Sequence, residues 1–270
     1  RPPRSTLFPY TTLFRSHYTD TMNATEKDYC LLEEFIEGTM LGCEAMLSNG
    51  KLLYCLPNNI ENYPAHVPTP IGHSVPYKKQ DTLGEEVQKQ VLLAIRALGM
   101  DNCPVNCDLM EKDGKIYVIE ITGRAGGNCL PEMVGIYYGI DYYEAIVRLA
   151  MDMQAEELFQ DQKNRFQNAT QRKCGERPEN TDGNLNRVTP NLSHILTSDR
   201  DGILKAIHND NEASPDLLDL SFNVEPGEEI RHYENGRDRL GQVIICGETL
   251  DACEQRLNEV LSKLNIEFIS

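Results

Sequence analysis

Two short turns do most to restrict how this chain folds. Ser48-Asn49-Gly50 separates the runs Cys43–Leu47 and Lys51–Leu56, and Asp113-Gly114 separates Val105–Met110 from Ile116–Ile121. Asn-Gly and Asp-Gly supply the positive φ angles of tight hairpin turns, so each predicts an antiparallel strand pair. Between the hairpins, Leu83, Val87, Val91, Ala94, Ile95 and Leu98 recur at helical spacing, which predicts a helix over Thr82–Leu98. Strand-rich stretches with covering helices point to an α+β fold rather than a doubly wound sheet.

The remaining segments fill in that plan. Cys30–Ile36 is a strand-like apolar run ending in acids and Gly38. Pro57–Pro76, rich in Pro, Asn and His, predicts a loop. Asp141-Tyr-Tyr-Glu144 has the pattern of a capping box, opening a helix that runs to about Met153. Residues 154–190 are polar with few aliphatics and predict a linker or excursion. Beyond it, strands near Leu217–Val224 and Leu240–Cys246 flank a turn at Pro226-Gly227, and a final helix starts near Thr249. The expected division is therefore 17–153, a linker at 154–190, and a smaller C-terminal domain at 191–270.

The first sixteen residues stand apart. RPPRSTLFPYTTLFRS holds three Arg, no acid and no period of helix or strand. A transit peptide is one reading. A sharper one is that all sixteen residues translate, codon by codon, a common short-read sequencing adapter, so the segment is excluded from fold reasoning. The chain carries 26 Lys and Arg against 42 Asp and Glu, a formal charge of −16. Without Arg1, Arg4 and Arg15 it holds 23 basic and 42 acidic residues, a charge of −19. On this reading His17 is not a natural start, and upstream sequence is expected.

That acidity argues against a nucleic-acid coat, which needs clustered Lys and Arg. No apolar run is long enough to span a membrane. Nine cysteines at scattered spacing suggest reduced thiols and a cytoplasmic protein. The Asn-x-Ser/Thr matches at Asn23, Asn168 and Asn191 then read as chance.

The chemistry-bearing stretch runs from Asn106 to Gly127. Asp108 sits near the start of one hairpin strand and Glu120 near the end of the next. The turn at Asp113-Gly114 brings those ends side by side, so one carboxylate from each strand can face one spot. Two such carboxylates are costly unless a cation neutralises them, and Mg²⁺ (or Mn²⁺) accepts this ligand set together with phosphate oxygens. Arg124 adds a fixed cation for a phosphoryl or carboxylate group. The Gly126-Gly127 backbone can approach a ligand closely. Taken alone, the pair also fits a surface hairpin with solvated acids.

The order of motifs resembles the ATP-grasp family over Cys30–Met153, and the biotin-carboxylase-like branch beyond. Glu33-Glu-Phe-Ile-Glu-Gly38 resembles the family's hinge, E-x-[FY]-[ILV]-x-G. The resemblance implies that Glu33, Glu34, Phe35 and Ile36 surround adenine. It also implies that Asp108 and Glu120 hold metal, and that Arg124 is the arginine following E-x-N-x-R. Gly236-Arg-Asp-Arg-Leu-Gly-Gln-Val-Ile-Ile-Cys-Gly-Glu-Thr-Leu250 resembles the C-terminal segment D-R-[IL]-G-x-[IV]-x-x-G-x-T. Thr122 stands where the family has a metal-binding Asn. Met40 stands where it often has a ribose-side acid, for which Glu44 is the nearby substitute. The phosphate-clamping lysines and glycine-rich loop would precede His17.

Within that family the sequence is most similar to ligases that join a carboxylate to an amine. The resemblance implies ATP as substrate, an acyl phosphate, a small carboxylate and a small amine, and leaves room for a homodimer. The chain alone is expected to show little or no catalysis. One rival is a bicarbonate-activating carboxylase or carbamoyl-phosphate-type enzyme. Another is a non-catalytic nucleotide-binding module. His73 is a substrate-facing candidate, although a plain loop histidine fits the pattern as well. Cys103 and Cys107 read as strand packing, and Cys129 as a site-lining alternative. Tyr137, Tyr138, Tyr142 and Tyr143 read as helix packing, and Lys78-Lys79 as a solvated pair.

Overall fold

The computed structural model describes residues 18, 19, 21–23, 25–64, 69–160 and 188–269. The sixteen adapter-like residues, Asn168 and most of the expected linker lie outside that set. The chain divides into two compact units, Arg1–Glu37 and Gly38–Ser270.

In the first unit, the strand expected over Cys30–Ile36 does not form. Apolar residues alone do not make a strand, because its backbone N–H and C=O groups need a neighbour to pair with. No described strand pairs with this run. Leu31, Leu32 and Phe35 are correspondingly exposed.

The second unit is built on a sheet of eight strands in the order β5-β4-β1-β2-β3-β6-β10-β8. The two sequence-predicted hairpins form its first half: β1 (Thr39–Ser48) with β2 (Lys51–Tyr63), and β4 (Pro104–Lys112) with β5 (Lys115–Thr122). Both turns carry two successive positive φ angles, at Asn49 and Gly50 and at Asp113 and Gly114. That is the type I′ geometry whose twist matches the flanking strands. β1 lies between β2 and β4, so the two hairpins share one sheet.

The expected loop Pro57–Pro76 is instead largely strand, with β2 continuing to Tyr63 and β3 covering Thr69–Val75. Proline misled the pattern. The β2–β3 ladder begins only at Asn59↔Ser74, so Pro57 sits where β2 has a neighbour on one side only, opposite Cys43. A missing amide is tolerated at such an edge.

β3 then pairs with β6 (Asn191–Leu196), which carries the sheet on to β10 (Gly241–Cys246) and β8 (Leu217–Phe222). One sheet thus runs through the stretches expected to form separate domains. β7 (Gly202–Asn209), β9 (Glu229–Ile230) and β11 (Leu264–Phe268) make a second, three-stranded sheet.

Helices cover both faces of the large sheet. α1 (Gln80–Leu98) buries Val87, Val91 and Ile95 against Leu41, Cys43, Val105, Cys107 and Leu109 on the odd-numbered face. Fully burying such aliphatic side chains contributes about 1.5–3 kcal/mol each. The even-numbered face takes α2 (Leu130–Tyr138) and α3 (Tyr142–Ala150) around Met46, Tyr54 and Leu56. Asp141 caps α3 by accepting the Glu144 amide hydrogen at 2.9 Å. Tyr54 donates its hydroxyl to that of Tyr142 at 2.7 Å, fixing the helix to β2. The short α4 (Glu156–Gln160) and the residue before it bury Leu158 and Ala155 in this same core. α5 (Leu250–Ser262), capped by Thr249, buries Cys253 and Val260 against β6 and β10. The eight described cysteines are free thiols.

Candidate active site

Strand register assembles the site. Asn106 and Asp108 are two residues apart on β4 and therefore share a face. Asp108 is paired with Glu120 on β5 and with Gly42 on β1, while Asn106 is paired with Thr122 and Glu44. On β2, Gly42 faces Asn58 and Glu44 faces Leu56. Two parallel rows result: Glu120, Asp108, Gly42, Asn58, and beside it Thr122, Asn106, Glu44, Leu56. Both lie on the face covered by α2 and α3.

The first row brings the two acids together. Asp108 is half-buried and Glu120 exposed. Burial, then the charge of Glu120, push the Asp108 carboxyl above its ordinary value, against the pull of Arg124. Among the described residues, no further His, Cys, Asp or Glu joins them in a cluster of three able to hold a metal ion. A carboxylate pair of this kind suits a cation that takes its other ligands from phosphate and water. Thr122 lies on the same face, its hydroxyl donating weakly to the Asn106 carbonyl at 3.4 Å.

The second row holds a buried carboxylate. Glu44 is 1% exposed. Its Oε1 accepts from Asn106 Nδ2 at 2.7 Å, and its Oε2 accepts the Gly126 amide hydrogen at 3.1 Å. Burial pushes its pKa up to about 7, against those two hydrogen bonds and the charge of Arg124. Glu44 is therefore not a ribose-side acid. The pleat points it under the glycine turn, where both oxygens are engaged and no surface is left for a sugar.

The turn after β5 closes over this row. A side chain on Gly126 would meet Glu44 Oε1 at 2.6 Å and Leu130 Cδ1 at 2.5 Å. The close approach expected of Gly126 is made to Glu44, whereas Gly127 is exposed with open space around it. Arg124 is exposed and donates from Nη1 to the Ala125 carbonyl at 2.8 Å. At the far end of the turn, Asn128 has φ 51°. It donates from Nδ2 to the Pro70 carbonyl at 3.2 Å, and its own carbonyl accepts the Ser193 hydroxyl at 2.8 Å.

His73 is not a loop residue. It sits on β3, opposite Ile60 and Ser193, and is buried. Its Nδ1 is 3.0 Å from Asn58 Oδ1, and burial lowers its pKa to about 4, so the ring is neutral near pH 7. Asn58 reaches this position because Gly42 has no side chain: a Cβ there would lie 2.6 Å from Asn58 Oδ1. Buried polar groups thus continue the row of acids across three strands.

Sequence reasoning overlooked Asn58, Asn106 and Asn128. Asn106 was accessible, since it shares strand alternation with Asp108. Asn58 was hidden by the prolines around it, and Asn128 by its dependence on contacts far away in sequence. The hinge residues Glu33–Ile36 belong to the first unit and are described only there. Cys107 packs in the core as expected, and Cys129 precedes α2 as a buried thiol. Lys78 and Lys79 are ion-paired with Glu254 and Glu111 rather than merely solvated.

Comparison with known proteins gives a consistent picture. Residues 194–268 match the family model described as L-amino acid ligase C-terminal domain 2. The phosphoribosylglycinamide synthetase of Anaerococcus prevotii is similar at 35% identity, with a TM-score of 0.76 over 93% of this chain and 59% of that one. An L-amino acid ligase from Bacillus licheniformis is similar in fold, with a TM-score of 0.66 at 18% identity over 87% of this chain and 53% of its own. So is biotin carboxylase from Campylobacter jejuni, with a TM-score of 0.63 at 11% identity over 95% and 52%. This chain spans between half and three-fifths of each of these proteins. No curated protein matches its sequence. Among the described residues, no helix is long and apolar enough to cross a membrane.

Proposed function

Because the chain belongs to the ATP-grasp superfamily, we propose that it works in an ATP-dependent ligase joining a small carboxylate to a small amine. The observation that carries this reading is the pairing of Asp108 with Glu120 across β4 and β5, with Arg124 four residues further on. Asp108 and Glu120, with Thr122 as a neutral oxygen donor, would hold Mg²⁺ or Mn²⁺, which when bound offsets phosphate charge. In the first step a substrate carboxylate oxygen attacks the γ-phosphorus of ATP, and the bond from that phosphorus to ADP breaks. The amine nitrogen then attacks the acyl carbon, phosphate leaves with the C–O bonding pair, and the nitrogen releases a proton.

Each residue has a part in that sequence. Arg124, anchored through Nη1 on the Ala125 carbonyl, keeps its other donors for the carboxylate or the acyl phosphate. Glu44 fixes the turn behind it. His73, neutral through burial, offers an uncharged hydrogen-bonding ring to substrate. Gly127 leaves backbone open to a ligand. Glu33, Glu34, Phe35 and Ile36 would offer their backbone to the adenine edge. No side-chain nucleophile is needed.

Phosphate release from ATP, assayed with panels of acids and amines, tests this reading. It is measured on this chain and on any longer coding sequence that contains it. Release that needs both an acid and an amine, and that falls at least about 100-fold in Asp108→Asn or Glu120→Gln, is expected. Release driven by bicarbonate alone, or unchanged turnover in both variants, would overturn it.

A further inference from the structure

Three thiols meet on the odd-numbered face of the large sheet, in the core beneath α1. Cys55 is paired in register with Ala45, two residues along β1 from Cys43, so the two cysteines share that face as diagonal neighbours across the hairpin. Cys107 is paired directly with Cys43 from the other side, on β4. Diagonal neighbours ordinarily stand about 7–8 Å apart at the backbone, but strand twist brings one diagonal nearer than the other. Here the two side chains lean together, and Cys43 Sγ lies 3.3 Å from Cys55 Sγ. The sulfurs are in contact but unbonded, since a disulfide bond is about 2.05 Å long.

The two partners differ in access. Cys43 is sealed, with 0% exposure, whereas Cys55 is half-buried. The hydrogen bond with Cys55, then burial, hold the Cys43 thiol well above its ordinary pKa, and burial pushes Cys107 up to about 12. Cys43 and Cys107 therefore keep their protons near pH 7. Each lies within reach of a backbone carbonyl for that hydrogen, Cys43 with Glu44 at 3.7 Å and Cys107 with Asp108 at 4.0 Å. Cys55 is thus the sulfur that a small oxidant from solvent reaches first, and Cys43 is already in place behind it. A reachable sulfur touching a sealed one is the arrangement in which the first is oxidised and the second resolves it.

We propose that Cys43 and Cys55 form a dithiol modification site, which a hydroperoxide converts to a reversible disulfide. The Cys55 sulfur attacks the terminal oxygen of the hydroperoxide and the O–O bond breaks. Cys55 becomes a sulfenic acid, and the other oxygen leaves with the thiol proton as water or an alcohol. The Cys43 sulfur then attacks the Cys55 sulfur, the S–O bond breaks, and hydroxide leaves with the Cys43 proton as water. Two thiols lose two electrons and the hydroperoxide gains them. The bond staples β1 to β2 on the face opposite the candidate site. Cys43 stands between Gly42 and Glu44, so closing the bond acts on the strand that tethers the glycine turn.

The test treats the full chain with hydrogen peroxide, blocks the remaining thiols with N-ethylmaleimide and maps the peptides by mass spectrometry. Trypsin cuts at Lys51, between the two cysteines. A linked Cys43–Cys55 peptide pair, lighter by two hydrogens and lost on adding dithiothreitol, is expected ahead of any other cysteine product. Cys43→Ala should abolish the link and stop oxidation at a Cys55 sulfenic acid, which dimedone traps. Cys55→Ser should leave Cys43 reduced. A control on the parent chain needs no variant to fold: in guanidinium chloride the Cys43–Cys55 link should lose its lead over other pairings. A lead kept in the unfolded chain would overturn the inference. So would linkage of Cys43 to Cys107, oxidation of Cys55 past the sulfenic stage without a link, or a Cys55 left reduced while other thiols react. The Gly126 amide resonance should shift as the disulfide forms and return with dithiothreitol, and an unmoved resonance would overturn the coupling to the glycine turn. None of these readouts uses ATP, so they succeed or fail apart from the ligase reading.

Discussion

Glu44 Oε2 accepts the amide hydrogen of Gly126 at 3.1 Å, and this bond ties the middle of β1 to the turn that carries Arg124. Its other oxygen takes Asn106 Nδ2 at 2.7 Å, so one buried carboxylate serves two donors from different elements. Glu44→Gln keeps the shape but has one acceptor oxygen for two donors. A cost of about 1–3 kcal/mol is expected, measured by denaturant unfolding. The double variant Glu44→Gln with Asn106→Asp exchanges donor and acceptor and should recover at least half the loss. Additive losses would show that the tether is not a hydrogen-bond relation.

Glu44 and His73 should give opposite pH dependence. Glu44 titrates near pH 7 when folded, against an ordinary 4.5. The folded state therefore retains a proton that the unfolded chain has lost, and stability falls as pH rises from 4.5 to 7. His73 titrates near 4 when folded, against 6.5, so its contribution is lost as pH falls from 6.5 to 4. Between pH 4.5 and 6.5 the two effects oppose each other, each by up to about 3 kcal/mol. Relative to the parent chain, Glu44→Gln should lose stability on acidification and His73→Gln should gain it. Slopes of the same sign in both variants would contradict this.

Gly126 and Gly127 are adjacent but should respond differently to alanine. At Gly126 a methyl group collides with Glu44 and Leu130, while at Gly127 it meets nothing. Gly126→Ala should cost about 1–3 kcal/mol, and Gly127→Ala should stay within about 0.5 kcal/mol. Thermal unfolding of the two variants decides the matter, and equal shifts would count against the turn geometry.

Removing the charge of Asp108 should have two separable effects. Without metal, Asp108→Asn relieves repulsion from Glu120 and burial of charge, so stability should hold or rise slightly. With Mg²⁺ or Mn²⁺, the parent chain should gain thermal stability and the variant should not. A metal-dependent rise of equal size in both would remove Asp108 from the metal site.

The hairpins were legible because their turns carry local signals, and the acid pair followed because strand alternation is local too. The row of acids could be read from Asp108 and Glu120 once the Asp113-Gly114 turn was placed. Other features depend on contacts distant in sequence. Nothing near Pro57 signals that β2 has a neighbour on one side only there, so a strand looked like a loop. Glu44 looked like a ribose-side acid because its partners lie 62 and 82 residues away. The Cys30–Ile36 run shows the reverse error, since its apolar residues suit a strand but supply no partner for it. The join of β3 to β6 bridges more than 100 residues through backbone pairing, which no side-chain pattern announces.

The central claim is that the site phosphorylates a carboxylate before an amine displaces the phosphate. Once an acid and amine pair is found to turn over, the acid labelled with ¹⁸O in both carboxylate oxygens tests this directly. Mass spectrometry of the released phosphate should show one ¹⁸O per turnover, transferred as the C–O bond breaks. Phosphate carrying no label, with amide product formed at the same rate, would contradict the account.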